Sequence, residues 1–335
     1  MKILNDENKT ILAVASDSGA ALYMVEILKK LKKKNVVKIF SLINAHKTFK
    51  LNGIKSNHVK NYNFRVFSKK IINEYTYDYI ILGTNLGYGL EKQITLDARK
   101  QNILTYAFID HFWHPWQRFA DLKKKIKNIY LPNYIISLDN KQKQILINNR
   151  ISEKIIYIYN HPYLTKLKRT KISYDKDSVL SDLKINKKNK IFVLASEPFP
   201  SKIPLWFSEE PTAKSILQNS KALFETLEVL HKKNKNFTLI IKKHPTEKKD
   251  NYGRYYKKIS KFTIIINDFK PKNLIDVADQ IFGFSSMFLL EAKELGKNVL
   301  TLNVNNEYYG NVMNDYGINC VRNKSELLNL LKNKI

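Results

Sequence analysis

Short apolar runs alternate with amphipathic stretches along most of this chain. Residues 10–16 are five apolar residues between a threonine and a serine, a run that reads as a strand buried on both faces. A turn at Asp17, Ser18 and Gly19 follows, and then a helix over residues 20–31. Strand, glycine turn and helix in that order make the first unit of an α/β domain. Apolar runs at 36–42, 79–83, 103–109, 134–138 and 155–159 predict further strands, with helices over 90–101, 119–127 and 141–148. A polar, lysine-rich and poorly periodic stretch, 162–189, divides the chain. Beyond it strands are expected at 190–195, 237–241, 263–266, 280–282 and 299–302, with helices over 213–233 and 325–334. Strands alternating with helices argue for parallel sheets. The expected architecture is α/β, with two Rossmann-like domains facing across a cleft. They take residues 1–165 and 175–320, and a closing C-terminal helix at 321–335 packs back on the first.

The densest pattern lies at Gly283-Phe284-Ser285-Ser286-Met287-Phe288-Leu289-Leu290-Glu291-Ala292, after a short apolar strand. Phe288, Leu289, Ala292 and Leu295 make one apolar helical stripe. Gly283 permits a tight strand-to-helix turn, and the two serines then stand where a helix presents unpaired N–H groups and its positive dipole end. Such a site takes a phosphate. Glu291, about one and a half turns along, is placed to hydrogen-bond a sugar hydroxyl. The plain alternative is a serine N-cap on an ordinary helix. Upstream, Lys242-Lys243-His244-Pro245 closes the strand at 237–241. A histidine at the carboxyl end of such a strand points into the ligand crevice. Pro245 ends the strand, and the basic cluster through Lys248 and Lys249 favours a phosphate leaving group.

Lys-x-His-Pro followed by Gly-x-Ser-Ser-x(4)-Glu-Ala-x(3)-Gly-x-x-Val resembles the nucleotide-binding domain of GT-B glycosyltransferases. The likeness is to bacterial surface-polysaccharide enzymes of the sialyltransferase, Kdo-transferase and glycerophosphotransferase types. The interval from Ser285 to Glu291 is also similar to the UDP-N-acetylglucosamine 2-epimerase group of that fold. The resemblance spans residues 190–305. It implies that Ser285, Ser286 and His244, with Lys242 and Pro245 beside it, hold the donor phosphate, and that Glu291 holds the ribose. The epimerases' Pro-Glu-Glu-x-Asn-Arg and Arg-x-Glu-Asn segments are missing, although Asp110 falls near one of their acids.

In the first half, Asp110-His111-Phe112-Trp113-His114-Pro115-Trp116 ends the strand at 103–109. A carboxylate or imidazole there can deprotonate an acceptor hydroxyl, and indole faces stack on sugars. Asp110 and His111 are therefore the candidate base, and Trp113, His114 and Trp116 candidate acceptor contacts, with Asp17, Ser18 and Gly19 on the neighbouring turn. The competing reading is an aspartate-capped turn above a tryptophan-filled core. The turn at 83–89, with Thr84 and Asn85, reads more readily as a structural connection. Glu197, Glu209 and Glu210 are alternative contacts to the donor sugar.

Composition narrows the function classes. At 335 residues the chain can form two ordinary domains. The lone cysteine, Cys320, excludes an internal disulfide framework, and the residue patterns hold no signal-peptide core or membrane span. A cytoplasmic protein is expected. The net charge of +28 comes from 58 basic against 30 acidic residues, yet only seven of the basic ones are arginine. Lysine is spread evenly, and no nucleic-acid module is visible, so nucleic acid is not an expected partner. Lysines at 29–34 and 123–127 read as solvated helix faces that could also draw the protein to anionic lipid at the inner membrane. No dinucleotide fingerprint and no matched His/Cys set appears, so neither a cofactor nor a metal is expected beyond the nucleotide-sugar substrate. The leading expectation is a metal-independent glycosyltransferase that moves a sugar from a CMP- or UDP-activated donor to a surface-glycan or lipid-linked acceptor. A nucleotide-sugar 2-epimerase or hydrolase is the alternative, and a non-enzymatic glycan-binding protein the third.

Overall fold

The computed structural model describes residues 2–60, 63–169, 176–197, 213–233, 235–244, 247, 252–267, 269–304 and 312–334. Pro198, the segment 206–211, Pro245, Lys248 and Lys249 lie outside the described residues. The chain divides into two compact units, Met1–Lys166 and Leu167–Ile335.

The first unit is built on seven parallel strands: β1 (Thr10–Ala15), β2 (Val36–Ser41), β3 (Asn57–His58), β4 (Tyr79–Leu82), β5 (Leu104–Phe108), β6 (Tyr134–Ser137) and β7 (Ile156–Ile158). Their spatial order is β3-β2-β1-β4-β5-β6-β7. β1 lies inside the sheet between β2 and β4, and Ile11 to Ala15 are wholly buried, as an all-apolar run with helices on both faces requires. The helices are α1 (Ser18–Leu31), α2 (Ile43–Leu51), α3 (Phe64–Glu74), α4 (Leu90–Lys100) and α5 (Asn140–Asn148), with α6 (Pro162–Arg169) carrying the division between the units. The fully buried Tyr23 of α1 satisfies its hydroxyl on the Tyr159 carbonyl at 2.6 Å.

The second unit carries α7 (Lys176–Asp182), then six parallel strands: β8 (Lys190–Ala195), β9 (Phe237–Lys242), β10 (Thr263–Ile266), β11 (Gln280–Gly283), β12 (Val299–Leu302) and β13 (Asn319–Val321). They run in the order β10-β9-β8-β11-β12-β13. The helices between and after them are α8 (Ala213–His231), α9 (Gly253–Ile259), α10 (Pro271–Val277), α11 (Met287–Glu294), α12 (Val312–Asp315) and α13 (Lys324–Lys332). The closing helix α13 buries Leu327 and Leu331 in this unit's own core, together with Leu223 and Leu227 of α8.

In each sheet the chain first builds outward on one side of its central strand and then returns to the other side. The reversal falls between β1 and β4 in the first sheet and between β8 and β11 in the second. At such a switch point the connections leave in opposite directions and open a crevice beyond the carboxyl ends of the strands.

One expected helix does not form. Residues 119–127 begin with a single 3-10 turn at Gln117–Phe119, followed by an antiparallel bridge between Asp121 and Ile126. Asp121 is the reason: its side chain accepts the amides of Lys123 and Lys124, each at 3.1 Å. That local bonding competes with the helical ladder. Lys125 and Asn128 then take left-handed φ values of 59° and 57°. The basic cluster there sits on turns, not on a helix face.

Candidate functional site

In the first unit the β1 and β4 connections meet over a crevice. Ser16 and Asp17 follow β1, residues 85–89 follow β4, and Asp110 and His111 follow β5. Together with Leu42, Phe64 and Arg118 they line a cavity of about 460 Å³. A second hollow of about 320 Å³ shares Ser16, Asp17, Leu42 and Phe64.

Three carboxyls converge here, and each has a different environment. Asp110 is 6% exposed and forms an ion pair with Arg118 at 2.8 Å, itself 8% exposed. Arg118 Nη1 also donates to the Thr84 carbonyl at 3.1 Å and hydroxyl at 2.9 Å. Burial raises the Asp110 carboxyl above its ordinary range, and Arg118 opposes that rise. Glu91, in the first turn of α4, accepts both the amide and the hydroxyl of Ser16 at 2.6 Å, and Asn85 Nδ2 at 2.9 Å. Its burial pushes it to about 7. Asp17 is exposed at the cavity wall. Partial desolvation first, and then the neighbouring Asp110 charge, raise it to about 6.

The turn that carries Asp17 is shaped by Gly19, where a Cβ would collide with Asp110 Oδ2. The loop after β4 is held by Lys92, a buried lysine donating to the carbonyls of Leu86 and Ala120, each at 3.0 Å. Burial lowers its ammonium to about 8.

His111 lines the cavity, and its Nδ1 accepts the Trp113 amide at 3.2 Å. In the neutral ring the proton then sits on Nε2. Trp113 and His114 are buried, at 7% and 6% exposure, and His114 takes a left-handed φ of 52°. Trp116 packs on the core with Lys127 Nζ 4.6 Å over its ring. None of these three lines the cavity among the described residues. Arg118 and Glu91 escaped the sequence reading. The signals were there, eight residues past Asp110 and two past Gly89, but both sit among ordinary helix and turn residues.

The second unit repeats the plan. Ser196 and Glu197 follow β8, His244 follows β9, and Phe284, Ser285 and Ser286 follow β11. A Cβ on Gly283 would press on the Leu289 side chain at 2.9 Å, so glycine lets α11 pack directly on its own strand. Ser286 is the N-cap of α11, accepting the Phe288 amide at 3.2 Å. Ser285 donates its amide and its hydroxyl to Glu197, at 2.5 and 2.8 Å. His244 donates its backbone amide to Glu247 at 3.2 Å, and Glu247 also accepts Ser196 Oγ at 2.7 Å. Burial, helped by Lys242, lowers the His244 imidazole to about 4, so it is neutral near pH 7. Lys242 Nζ stands 5.3 Å over the Phe288 ring, and Glu291 is buried within α11. Thus Lys242, His244, Ser285, Ser286 and Glu291 all lie on β9, α11 or the turns that adjoin them. Among the described residues no group of three or more His, Cys, Asp or Glu is arranged to hold a metal, and no helix is long and apolar enough to cross a membrane.

No family model matches the chain, and no curated relative matches it. Solved structures do. A UDP-N-acetylglucosamine 2-epimerase from Neisseria meningitidis, solved with UDP-GlcNAc bound, superposes with a TM-score of 0.65 at 14% identity, covering 96% of this chain and 90% of that one. The corresponding epimerase from Methanocaldococcus jannaschii gives 0.67 at 14%, covering 96% and 92%. A glycosyltransferase from Rickettsia africae gives 0.66 at 15%, covering 98% and 88%. At this identity the likeness speaks for the fold, and the chain has the two-domain, GT-B-like α/β fold of those enzymes.

Proposed function

We propose that this protein is a nucleotide-sugar enzyme, and specifically a glycosyltransferase that uses the nucleotide as leaving group. The observation that carries the proposal is the turn after β11. It sets two serines at the N-terminus of α11, with His244 at the end of β9, on the far side of β8, and Glu291 further along the same helix. Amides, hydroxyls and the helix dipole are suited to the charge that develops on a departing phosphate. A neutral His244 adds a hydrogen-bond donor without a charge that must first be desolvated. Glu291 takes the ribose hydroxyls.

Proton removal falls to the first unit. Asp17 is the best base there: it faces the cavity, and a carboxyl near 6 matches neutral-pH proton transfer. Asp110 supports it as a fixed negative neighbour, itself held by Arg118. On this reading the acceptor is a glycan or lipid-linked sugar, and anionic lipid is a secondary partner for the lysine-rich surface. The reaction uses neither nicotinamide nor a tightly bound divalent ion, and turnover persists in EDTA.

The 2-epimerase or hydrolase reading keeps the same nucleotide site. What favours it is the closeness of Asp17 and Asp110 at one cavity, since moving a proton on a bound sugar needs paired acids and bases. One experiment separates the two. The protein is incubated with CMP- and UDP-sugars, with and without a glycan acceptor, and products are followed by NMR. Acceptor-dependent nucleotide release marks the transferase, whereas a 2-epimer without acceptor marks the epimerase. No binding of any nucleotide by calorimetry would overturn both.

A further inference from the structure

We propose that Glu197 is an internal stand-in for the donor phosphate, occupying its position until the nucleotide displaces it. This rests on the nucleotide site proposed above. Glu197 is 8% exposed and follows the central strand β8, directly across the switch point from α11. Its two carboxylate oxygens divide the donors of a single residue: Oε1 takes the Ser285 amide at 2.5 Å, and Oε2 takes the Ser285 hydroxyl at 2.8 Å. A phosphate placed at the start of α11 would call on those same two donors. One amide hydrogen and one hydroxyl hydrogen cannot serve two anions in full, and like charges so close repel. The occupant must therefore leave when the ligand arrives.

The first unit shows what the same clasp looks like as a fixed element. Glu91 grips the Ser16 amide and hydroxyl in the same bidentate way, across the equivalent switch point between β1 and β4. There the polarity is reversed, with the serine after the central strand and the glutamate on the helix. Glu91 does not line the cavity, and it spans no helix N-terminus with a serine pair. In the second unit the glutamate comes from the strand end and sits on the anion-seeking end of α11. Glu247 repeats the theme by accepting the His244 backbone amide. Internal carboxylates thus satisfy donors on both turns that the phosphate would use. The consequence is a built-in competitor that lowers affinity for weak anions, admits a nucleotide only when its other contacts offset the lost clasp, and hastens product release.

The test measures UDP, CMP and inorganic phosphate binding by calorimetry to the wild type, Glu197→Gln, Glu197→Ala and Glu197→Gln/Ser285→Ala. Removing the competing charge should tighten nucleotide binding at least tenfold in both single variants, and the added Ser285→Ala should abolish the gain. The ligand-free melting temperature should fall in the single variants while the ligand-induced rise grows, which separates lost folding from lost competition. If the wild type binds a nucleotide and the folded single variants bind it equally or more weakly, Glu197 is a supporting residue and the inference fails alone. If none of the four proteins binds any nucleotide, the inference and the nucleotide site fall together.

Discussion

Gly19 and Asp110 occupy mutually exclusive space: the absent side chain of Gly19 is what lets the Asp110 carboxyl stand over the turn after β1. The two residues are 91 positions apart in the chain and meet only because β1, β4 and β5 are consecutive neighbours in the sheet. Replacing Gly19 with alanine should push Asp110 off its ion pair with Arg118. Overpacking of this kind costs about 1–3 kcal/mol, measurable by urea unfolding, and turnover should fall more steeply than stability. A variant as stable and active as the wild type would show that Asp110 can move without consequence.

The Asp110–Arg118 pair yields a sharper test. Both partners are buried, so Arg118→Met strands an unpaired carboxylate and should destabilise by about 3–5 kcal/mol. Arg118→Met combined with Asp110→Asn should recover much of that loss. A double-mutant cycle by chemical denaturation reads the coupling, and strictly additive losses would mean that the pair does not act as a unit.

At the other site, Ser285→Ala/Ser286→Ala should weaken nucleotide binding while the protein stays folded. Loss of the Ser286 cap costs only about 1 kcal/mol of helix stability. Thermal-shift titration with CMP, CDP, UDP and GDP compares the double variant with the wild type. Unchanged affinity would place the phosphate elsewhere.

Stability should depend on pH in two opposed ways. Glu91 is raised to about 7, so the folded protein holds its proton more tightly than the unfolded chain does. Its contribution is complete below the ordinary carboxylate range and is lost as pH rises through about 7. His161 is the reverse: burial lowers its imidazole to about 3, so its contribution is present above about 6.5 and is lost as pH falls towards 3. Melting curves from pH 4 to 8 should show Glu91→Gln losing less stability than wild type above pH 6, and His161→Phe losing less below it. Parallel curves for all three proteins would refute both assignments.

How much of this was legible in the sequence differs by residue. Most strands of both sheets were legible because parallel strands buried on both faces are continuous apolar runs, and the 10–16 run is β1 almost residue for residue, whereas the short edge strands β3 and β13 carry no such run. The α11 turn was legible because glycine, a serine pair and an apolar stripe follow one another within ten residues. Helices α2 and α3 were not, since each buries few residues and its polar majority resembles a loop: α2 buries only Ala45 and Phe49. The 119–127 segment misled because its composition suits a helix, while one aspartate side chain diverts the backbone.

The sequence by itself determined the strand–helix alternation, the glycines at tight turns and the residue types able to hold a phosphate, because these are local consequences of side-chain volume, polarity and period. Only the tertiary structure decided which of those residues act together. It joined Ser285 to Glu197 and Ser16 to Glu91, buried Trp113, and brought Arg118 to Asp110. Those pairings depend on strand order, and strand order follows from how crossover helices pack on a twisted sheet, which no short window of sequence records.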